Sequence, residues 1–378
     1  MIYADNAATT RISDGALKEM LPFLQAQYGN PSSQYSLGVQ ARHGIAQARR
    51  QIAAAIGAES SEIIFTSGGS EANNWVLQSV IHQNTPVHII TSTIEHSAVL
   101  NTCRMLEAHG AELTYLPVDA NGRVNPADLK AALRPHTKLV SIMLANNELG
   151  TIQPIEEIGR FLKGTGILFH SDAVQAVGHI PVCVLDLGVD FLSISAHKFY
   201  GAKGTGALYK RNGVPLSPLI YGGEQEQALR AGTENTAGIV SAGCAITESV
   251  EIMDREAERL RAMVQETIDS IRSVIPTVRV NGGDSVRLPG TVNLGFDGVS
   301  GESLMHLLDL KGICVSTSSA CTAGNGAPSH VLLALGQTES QAKSAIRISY
   351  GRYNTSEDVQ PLVKAVCSAY RKIKDNQG

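Results

Sequence analysis

The sequence predicts an α/β protein in which a large domain with a mainly parallel sheet is joined to a smaller α+β domain. Three observations carry that expectation. Between about residues 60 and 210, short β-branched and apolar runs alternate with longer helical patterns. One long helical stretch then covers 236–271. Beyond residue 275, strands and helices are mixed.

In the first region the strands are expected at 63–66, 87–92, 139–144, 167–170, 191–195 and 206–209. Helices are expected near 70–83, 97–109, 126–134 and 154–163. Near-continuous apolar strands separated by helices indicate a sheet covered on both faces. In the second region the strands are 277–280, 291–294 and 345–349, with helices near 302–311 and 356–373. The long helix carries the chain between the domains, which divides it into a large domain, 14–255, and a small one made of 1–13 and 256–378.

A chain of 378 residues with 43% hydrophobic and 17% charged residues has material for two buried cores. A net charge of −4 gives no basic surface for nucleic acid or anionic membrane. No apolar run reaches the length of a membrane span, and the first residues do not read as a signal peptide, so a soluble cytoplasmic protein is expected. The six cysteines form no C-x-x-C pair, which argues against a zinc or thioredoxin-like site, and no metal is expected. Cys103 and Cys314 sit in apolar surroundings and read as small buried hydrophobes.

The polar clusters follow the strands, where ligands of such sheets gather: Ser67-Gly68-Gly69-Ser70, Glu95-His96, Asn146-Asn147-Glu148, Asp172 and His197-Lys198. A lysine buried at a strand end has a lowered pKa and serves as nucleophile and base. Alone, Lys198 would read as a surface lysine, Asp172 as a helix cap and the glycine pair as an ordinary turn. Together, and in this order, they meet the needs of pyridoxal 5'-phosphate (PLP): an amine for its carbonyl, a carboxylate for its ring nitrogen, and free amides at a helix start for its phosphate.

The chain resembles the class V, fold-type I PLP-dependent enzymes, and within them the cysteine desulfurases of the NifS/IscS group. The resemblance runs through Asp5-Asn-Ala-Ala-Thr-Thr10, Phe65-Thr-Ser-Gly-Gly-Ser-Glu-Ala-Asn-Asn74, Glu95-His-Ser-Ala-Val99 and Asn146-Asn-Glu-Leu-Gly150. It continues in Asp172-Ala-Val-Gln-Ala-Val-Gly178, Ser195-Ala-His-Lys-Phe-Tyr-Gly-Ala-Lys-Gly204, Arg230-Ala-Gly-Thr-Glu-Asn235, Ser318-Ser-Ala-Cys-Thr322 and Ile346-Arg-Ile-Ser-Tyr-Gly351. The lysine and aspartate motifs are shared by many class V enzymes, whereas Ser-Ser-Ala-Cys-Thr is specific to desulfurases.

The resemblance implies a seven-stranded sheet in the large domain and a homodimer. It makes Lys198 the Schiff-base lysine, Asp172 the partner of the pyridine nitrogen and Gln175 the donor to the ring's phenolic oxygen. His96 would lie over the ring and move protons, and Asn147 would touch the cofactor. Gly69, Ser70, Ser195 and His197 match phosphate-binding positions, and Thr233 matches a threonine reaching the phosphate of the neighbouring subunit. Arg347, assisted by Asn293, would hold the substrate carboxylate. Cys321 would be the nucleophile that takes sulfur from L-cysteine as a persulfide, leaving L-alanine, and its only metal contact would be with iron–sulfur material in transit.

The surroundings of Cys321 suit that role. Residues 316–328 are small, polar and glycine-containing, a composition that reads as an exposed loop rather than core. The persulfide would pass to an acceptor protein, an iron–sulfur scaffold or a tRNA-thiolation enzyme. The chain ends soon after the helix at 356–373, without the extension that longer relatives use to dock the scaffold, which favours a dedicated acceptor. Three other readings share the motifs: a selenocysteine lyase, another class V PLP enzyme such as an aminotransferase, and a non-catalytic scaffold for sulfur transfer. The joint presence of Lys198, Asp172, His96, Cys321 and Arg347 argues against the last.

Overall fold

The computed structural model describes residues 1–81, 87–283, 285–317 and 327–376. The chain opens with β1 (Ile2–Tyr3), α1 (Asp14–Gln25) and α2 (Ser36–Ala55), two helices outside the expected alternation. There follow β2 (Ile63–Thr66), α3 (Gly69–Ser79), β3 (His88–Ser92), α4 (Ser97–Ala108), β4 (Glu112–Leu116), α5 (Pro126–Ala132) and β5 (Thr137–Ser141). Then come α6 (Ile155–Leu162), β6 (Leu168–Asp172), α7 (Val184–Leu187), β7 (Phe191–Ser195) and β8 (Gly206–Lys210). After α8 (Thr236–Val274) the chain forms β9 (Arg279–Asn281), β10 (Thr291–Gly295), α9 (Gly301–Asp309), β11 (Ile313–Cys314) and β12 (Ser316–Thr317). It finishes with α10 (His330–Ala334), α11 (Glu339–Lys343), β13 (Ala345–Ser349) and α12 (Val359–Asp375).

Seven strands form the central sheet in the order β2-β8-β7-β6-β5-β3-β4. Only β8 runs against its neighbours, so the sheet is mainly parallel as the sequence predicts. The apolar runs have a simple cause. Ile90, Val140 and Leu192 pack into one core, while their neighbours Ile89, Leu139 and Phe191 pack into another on the opposite face. Alternate residues face opposite ways and both faces are covered, so alternation disappears from the sequence. Strand β4 escaped notice because it lies at the sheet edge, where Glu112 is exposed and Leu113, Thr114 and Tyr115 are half-buried.

The four-stranded sheet β12-β13-β10-β9 is antiparallel and has a core of its own around Val292, Leu294, Phe296, Leu304, Ile346 and Ile348. The 39-residue α8 serves both cores. Ile239, Ala242 and Ile246 of its first half join the large core, and Leu260, Met263 and Ile271 of its second half join the small one. Ala4 also packs in the small core, and β1 pairs with β11.

A polar ladder crosses the middle of the main sheet. His170 on β6 is fully buried, with Nδ1 2.8 Å from the Ser141 hydroxyl and Nε2 2.9 Å from the Ser193 hydroxyl. Burial pushes its pKa down to about 3, so the folded protein keeps the ring neutral. The unfolded chain binds a proton below about 6.5, so stability is lost as pH falls from there towards 3. Replacing His170 by Gln is expected to flatten the decline of unfolding free energy between pH 6 and 4 by up to ~1.4 kcal/mol per pH unit, read from urea titrations.

Candidate active site

A cavity of about 330 Å³ lies where the carboxyl ends of β5, β6 and β7 meet the start of α3 and β13. Each wall comes from a different element. Asp172 is the last residue of β6 and Ser195 the last of β7, while His197 and Lys198 occupy the single turn that follows. Gly69 and Ser70 open α3, His96 caps α4, Asn147 lies in the loop after β5, and Gln175 follows β6. Ala7 and Ala8 bring the N-terminal segment to the cavity, and Arg347 reaches it from β13.

Backbone shape makes the α3 end of the cavity. Gly68 has φ 154° and ψ −179°, a conformation essentially limited to glycine. A Cβ on Gly69 would lie 2.4 Å from Val174 Cγ2, and one on Gly206 2.6 Å from Gly68 Cα. Glycine at these places lets the helix start sit directly against β8 and the segment after β6.

The polar groups are held tightly. Asp172 Oδ2 accepts from Asn73 Nδ2 at 2.6 Å and Oδ1 from the Val174 amide at 3.0 Å. The Asn73 side-chain oxygen, Oδ1, is buried without a hydrogen-bond partner among the described residues. Lys198 Nζ donates to the carbonyls of Ala7 at 2.6 Å and Ala8 at 2.7 Å, and Gln175 Nε2 donates to Ala7 at 3.0 Å. His96 Nδ1 accepts from the Ala98 amide at 3.1 Å, which places the proton of the neutral ring on Nε2. His96 is therefore a capping residue and a cavity residue at once. Burial, with Lys198 and Lys203 nearby, pulls the His197 pKa down to about 4, and its Nδ1 lies 3.1 Å from the Thr9 hydroxyl.

Two buried carboxyls flank this site. Glu95, fully buried, accepts on Oε1 from the Ser92 hydroxyl and the Met143 amide, and burial raises its pKa to about 8. Glu148 accepts from the Ser329 hydroxyl at 2.5 Å, and burial raises it to about 7 against the pull of Arg347 and His96. His330 Nε2 donates to the Glu95 carbonyl at 3.0 Å, so the start of α10 is tied to both loops.

Ten of the thirteen residues singled out from the sequence share this cavity: Lys198, Asp172, Gln175, His96, Asn147, Gly69, Ser70, Ser195, His197 and Arg347. Asn293 lies behind it, fully buried, donating to the Glu148 carbonyl at 3.3 Å and accepting from Asn281 at 2.7 Å. Thr233 lies in a separate cavity with Thr66, Ser67 and Arg230. Cys321 and most of the 316–328 segment fall outside the described residues. Asn73 and the Ala7 and Ala8 carbonyls were not foreseen, and Glu148 was read only as part of the polar cluster after β5. Asn73 and Glu148 lie inside quoted motifs, but nothing in residue type tells a helical asparagine that faces a ligand from one that faces solvent.

Such a cavity, with an amine and a carboxylate on neighbouring strand ends opposite a helix start, lies where α/β enzymes with a parallel sheet bind their ligands. The chain belongs to the aminotransferase class-V family of pyridoxal-phosphate enzymes, whose family model matches residues 2–362. It is 51% identical over 375 residues to a cysteine desulfurase IscS of Dictyoglomus turgidum, covering 99% of this chain and 95% of the relative. A solved NifS-like protein superposes with a TM-score of 0.91 at 40% identity, covering 97% of this chain and 98% of the other. A structure described as SspA in complex with cysteine gives a TM-score of 0.82 at 38% identity, covering 94% of this chain and all of that one.

The buried acid gives a testable sign. Glu95 keeps its proton in the folded state up to about pH 8, whereas the unfolded chain releases it near 4.5, so its contribution weakens as pH rises between these values. In thermal melts at pH 5 and pH 8, Glu95→Gln is expected to lose less stability over that interval than the parent protein.

Proposed function

We propose that this chain is a cysteine desulfurase that holds pyridoxal phosphate on Lys198 and receives the substrate sulfur on Cys321. The observation that carries the reading is the meeting of Lys198, Asp172 and the start of α3 around one cavity that Arg347 also lines. The cysteine desulfurases among its relatives support it.

The residues present fit the cofactor. A cavity of about 330 Å³ is of the size that small-ligand sites occupy. Asp172, steadied by Asn73 and the Val174 amide, would pair with a protonated ring nitrogen. Gln175 would donate to the ring's phenolic oxygen, and Asn147 would contact the ring. Gly69, Ser70, Ser195 and His197 would hold the phosphate, with the helix start contributing its free amides. Bound there, pyridoxal phosphate supplies an electron sink for negative charge at the substrate α-carbon.

The chain's own groups then divide the work. Arg347 would bind the α-carboxylate: it lines the cavity, and its two hydrogen bonds take only one N–H of each Nη. Lys198, once its amine is released, would take the α-proton. His96 would offer the proton on Nε2 above the site. The Cys321 thiolate would attack the substrate sulfur; the S–S bond forms as the Cβ–S bond breaks, and the bonding pair stays with carbon and is finally protonated. L-cysteine and a thiol thus become L-alanine and a persulfide, with atoms and electrons balanced. The persulfide would pass to an acceptor protein, an iron–sulfur scaffold or a tRNA-thiolation enzyme.

The working unit of this reading is a homodimer in which Thr233 serves the neighbouring copy's phosphate site. Leu17, Leu21 and Leu24 form an exposed stripe on α1, near exposed Tyr28, and such a stripe suits a second copy. A nucleophilic free thiol works in a reducing compartment, so the reading places the protein in the cytoplasm.

Incubation with L-cysteine and dithiothreitol is expected to yield sulfide and alanine in equal amounts; pyruvate and ammonia in place of alanine would overturn the proposal. Cys321→Ser is expected to keep the cofactor's absorbance and lose sulfide production by a factor on the order of 100 or more. Lys198→Ala is expected to lose the borohydride-fixable cofactor as well as turnover. A Cys321→Ser protein with undiminished turnover would remove that residue from the mechanism.

A further inference from the structure

Arg347 is 3% exposed, and its guanidinium is clamped at two corners. Nη1 donates to the Asn147 carbonyl at 2.8 Å and Nη2 to Asp5 Oδ1 at 2.7 Å. Nε is buried away from solvent and has no hydrogen-bond partner among the described residues. Asp5 does not line the cavity, whereas Arg347 does. The Asp5 backbone is fixed to the strand that bears Arg347. The Ser349 amide donates to the Ala4 carbonyl at 2.8 Å, and the Asn6 amide donates to the Ser349 carbonyl at 3.1 Å. Asp5 bridges Ser349, two residues beyond Arg347. The acid and the arginine therefore share one rigid piece of the fold.

Two roles are open to a carboxylate in this place. It could occupy the arginine and compete with substrate, or it could orient the arginine for substrate. A guanidinium has five N–H donors in a planar fork, and Asp5 Oδ1 engages only the Nη2 corner. With Nη1 on a main-chain carbonyl, the clamp fixes the plane of the fork and takes one N–H from each Nη, leaving the other N–H of each for a ligand in the cavity that Arg347 lines. Orientation accounts for both contacts, and competition does not account for the Asn147 contact.

We propose that Asp5 is a positioning residue for amino-acid recognition: with the Asn147 carbonyl it locks the Arg347 guanidinium so that the remaining N–H groups on Nη1 and Nη2 are held for the α-carboxylate of the substrate. The role rests on Arg347 being the carboxylate ligand, as in the function proposed above. It makes the discrimination between an α-amino acid and the corresponding amine depend on a residue that touches neither.

The test uses the holoenzyme and two probes that differ only in the carboxylate, L-alanine and ethylamine, with binding read from the change in cofactor absorbance. The parent protein is expected to prefer L-alanine. Asp5→Ala is expected to weaken L-alanine about tenfold, the effect of losing one hydrogen bond to a charged group, and to leave ethylamine within about twofold. Asp5→Asn, whose amide oxygen accepts the same hydrogen bond, is expected to restore L-alanine binding to within about threefold of the parent. Equal weakening of both probes would mean a merely structural role and would overturn the proposal. Unchanged or tighter L-alanine binding would overturn it too, tighter binding by marking Asp5 as a competitor. Should Asp5→Ala fail to fold, Asp5→Ser, too short to reach the guanidinium, takes its place. A parent protein with no preference for L-alanine would remove Arg347 from the carboxylate role, and Asp5 with it; a parent preference that Asp5→Ala leaves intact would sink the Asp5 proposal alone.

Discussion

The parallel pairing of β6 with β7 is the constraint on which the site depends. His170 pairs with Phe191, Ser171 with Leu192 and Asp172 with Ser193. That register sets the end of β6, where Asp172 sits, beside the stretch of β7 that leads to Ser195 and Lys198. A carboxylate and an amine 26 residues apart in sequence thereby become walls of one cavity without any flexible segment having to bring them there. The polar ladder Ser141–His170–Ser193 ties β5 to this pair from within, and the buried apolar residues on either face hold the sheet around it.

Around that frame, the other groups arrive by separate routes and are held by neutral or compensated contacts. Buried Asp172 has an amide on each oxygen, and buried Arg347 has a carboxylate and a carbonyl. Glu95 and Glu148, by contrast, are buried with hydroxyl and amide donors rather than a directly bonded cation, and their pKa values rise accordingly. The site thus carries acids that ionise near neutrality within a few residues of His96 and Asn147, in the two loops that α10 ties down.

Much of this was legible in the sequence. Central parallel strands are buried on both sides, so β3, β5 and β7 stand out as apolar runs, and motif residues such as Asp172, Gln175 and Lys198 fall at or just beyond the ends of β6 and β7. The edge strand β4 was not legible because one side of it meets water. Two-residue strands such as β1 and β11 carry too little pattern to register. The Asp5–Arg347 pair joins residues 342 apart, and no local rule relates them. Glu148 reads as an ordinary polar loop residue, and only the packing of α10 over it reveals that it is buried. Asn293, expected from the sequence to assist with the substrate carboxylate, donates to the Glu148 carbonyl and accepts from Asn281, links that no sequence pattern shows.

The route of the first ten residues has a consequence for how the molecule is made. Ile2 and Tyr3 pair with Ile313 and Cys314, and the Ala4, Asn6 and Ala7 backbones bond to Ser349. During synthesis on the ribosome the amino terminus emerges first, but its partners are translated more than 300 residues later. The β5–β6–β7 platform can assemble from contiguous chain, whereas the wall formed by Ala7 and Ala8 must wait for the carboxyl-terminal strands. Closing so long a loop is the slow, non-local kind of step, so the last part of the enzyme to be built is the part that cradles its lysine.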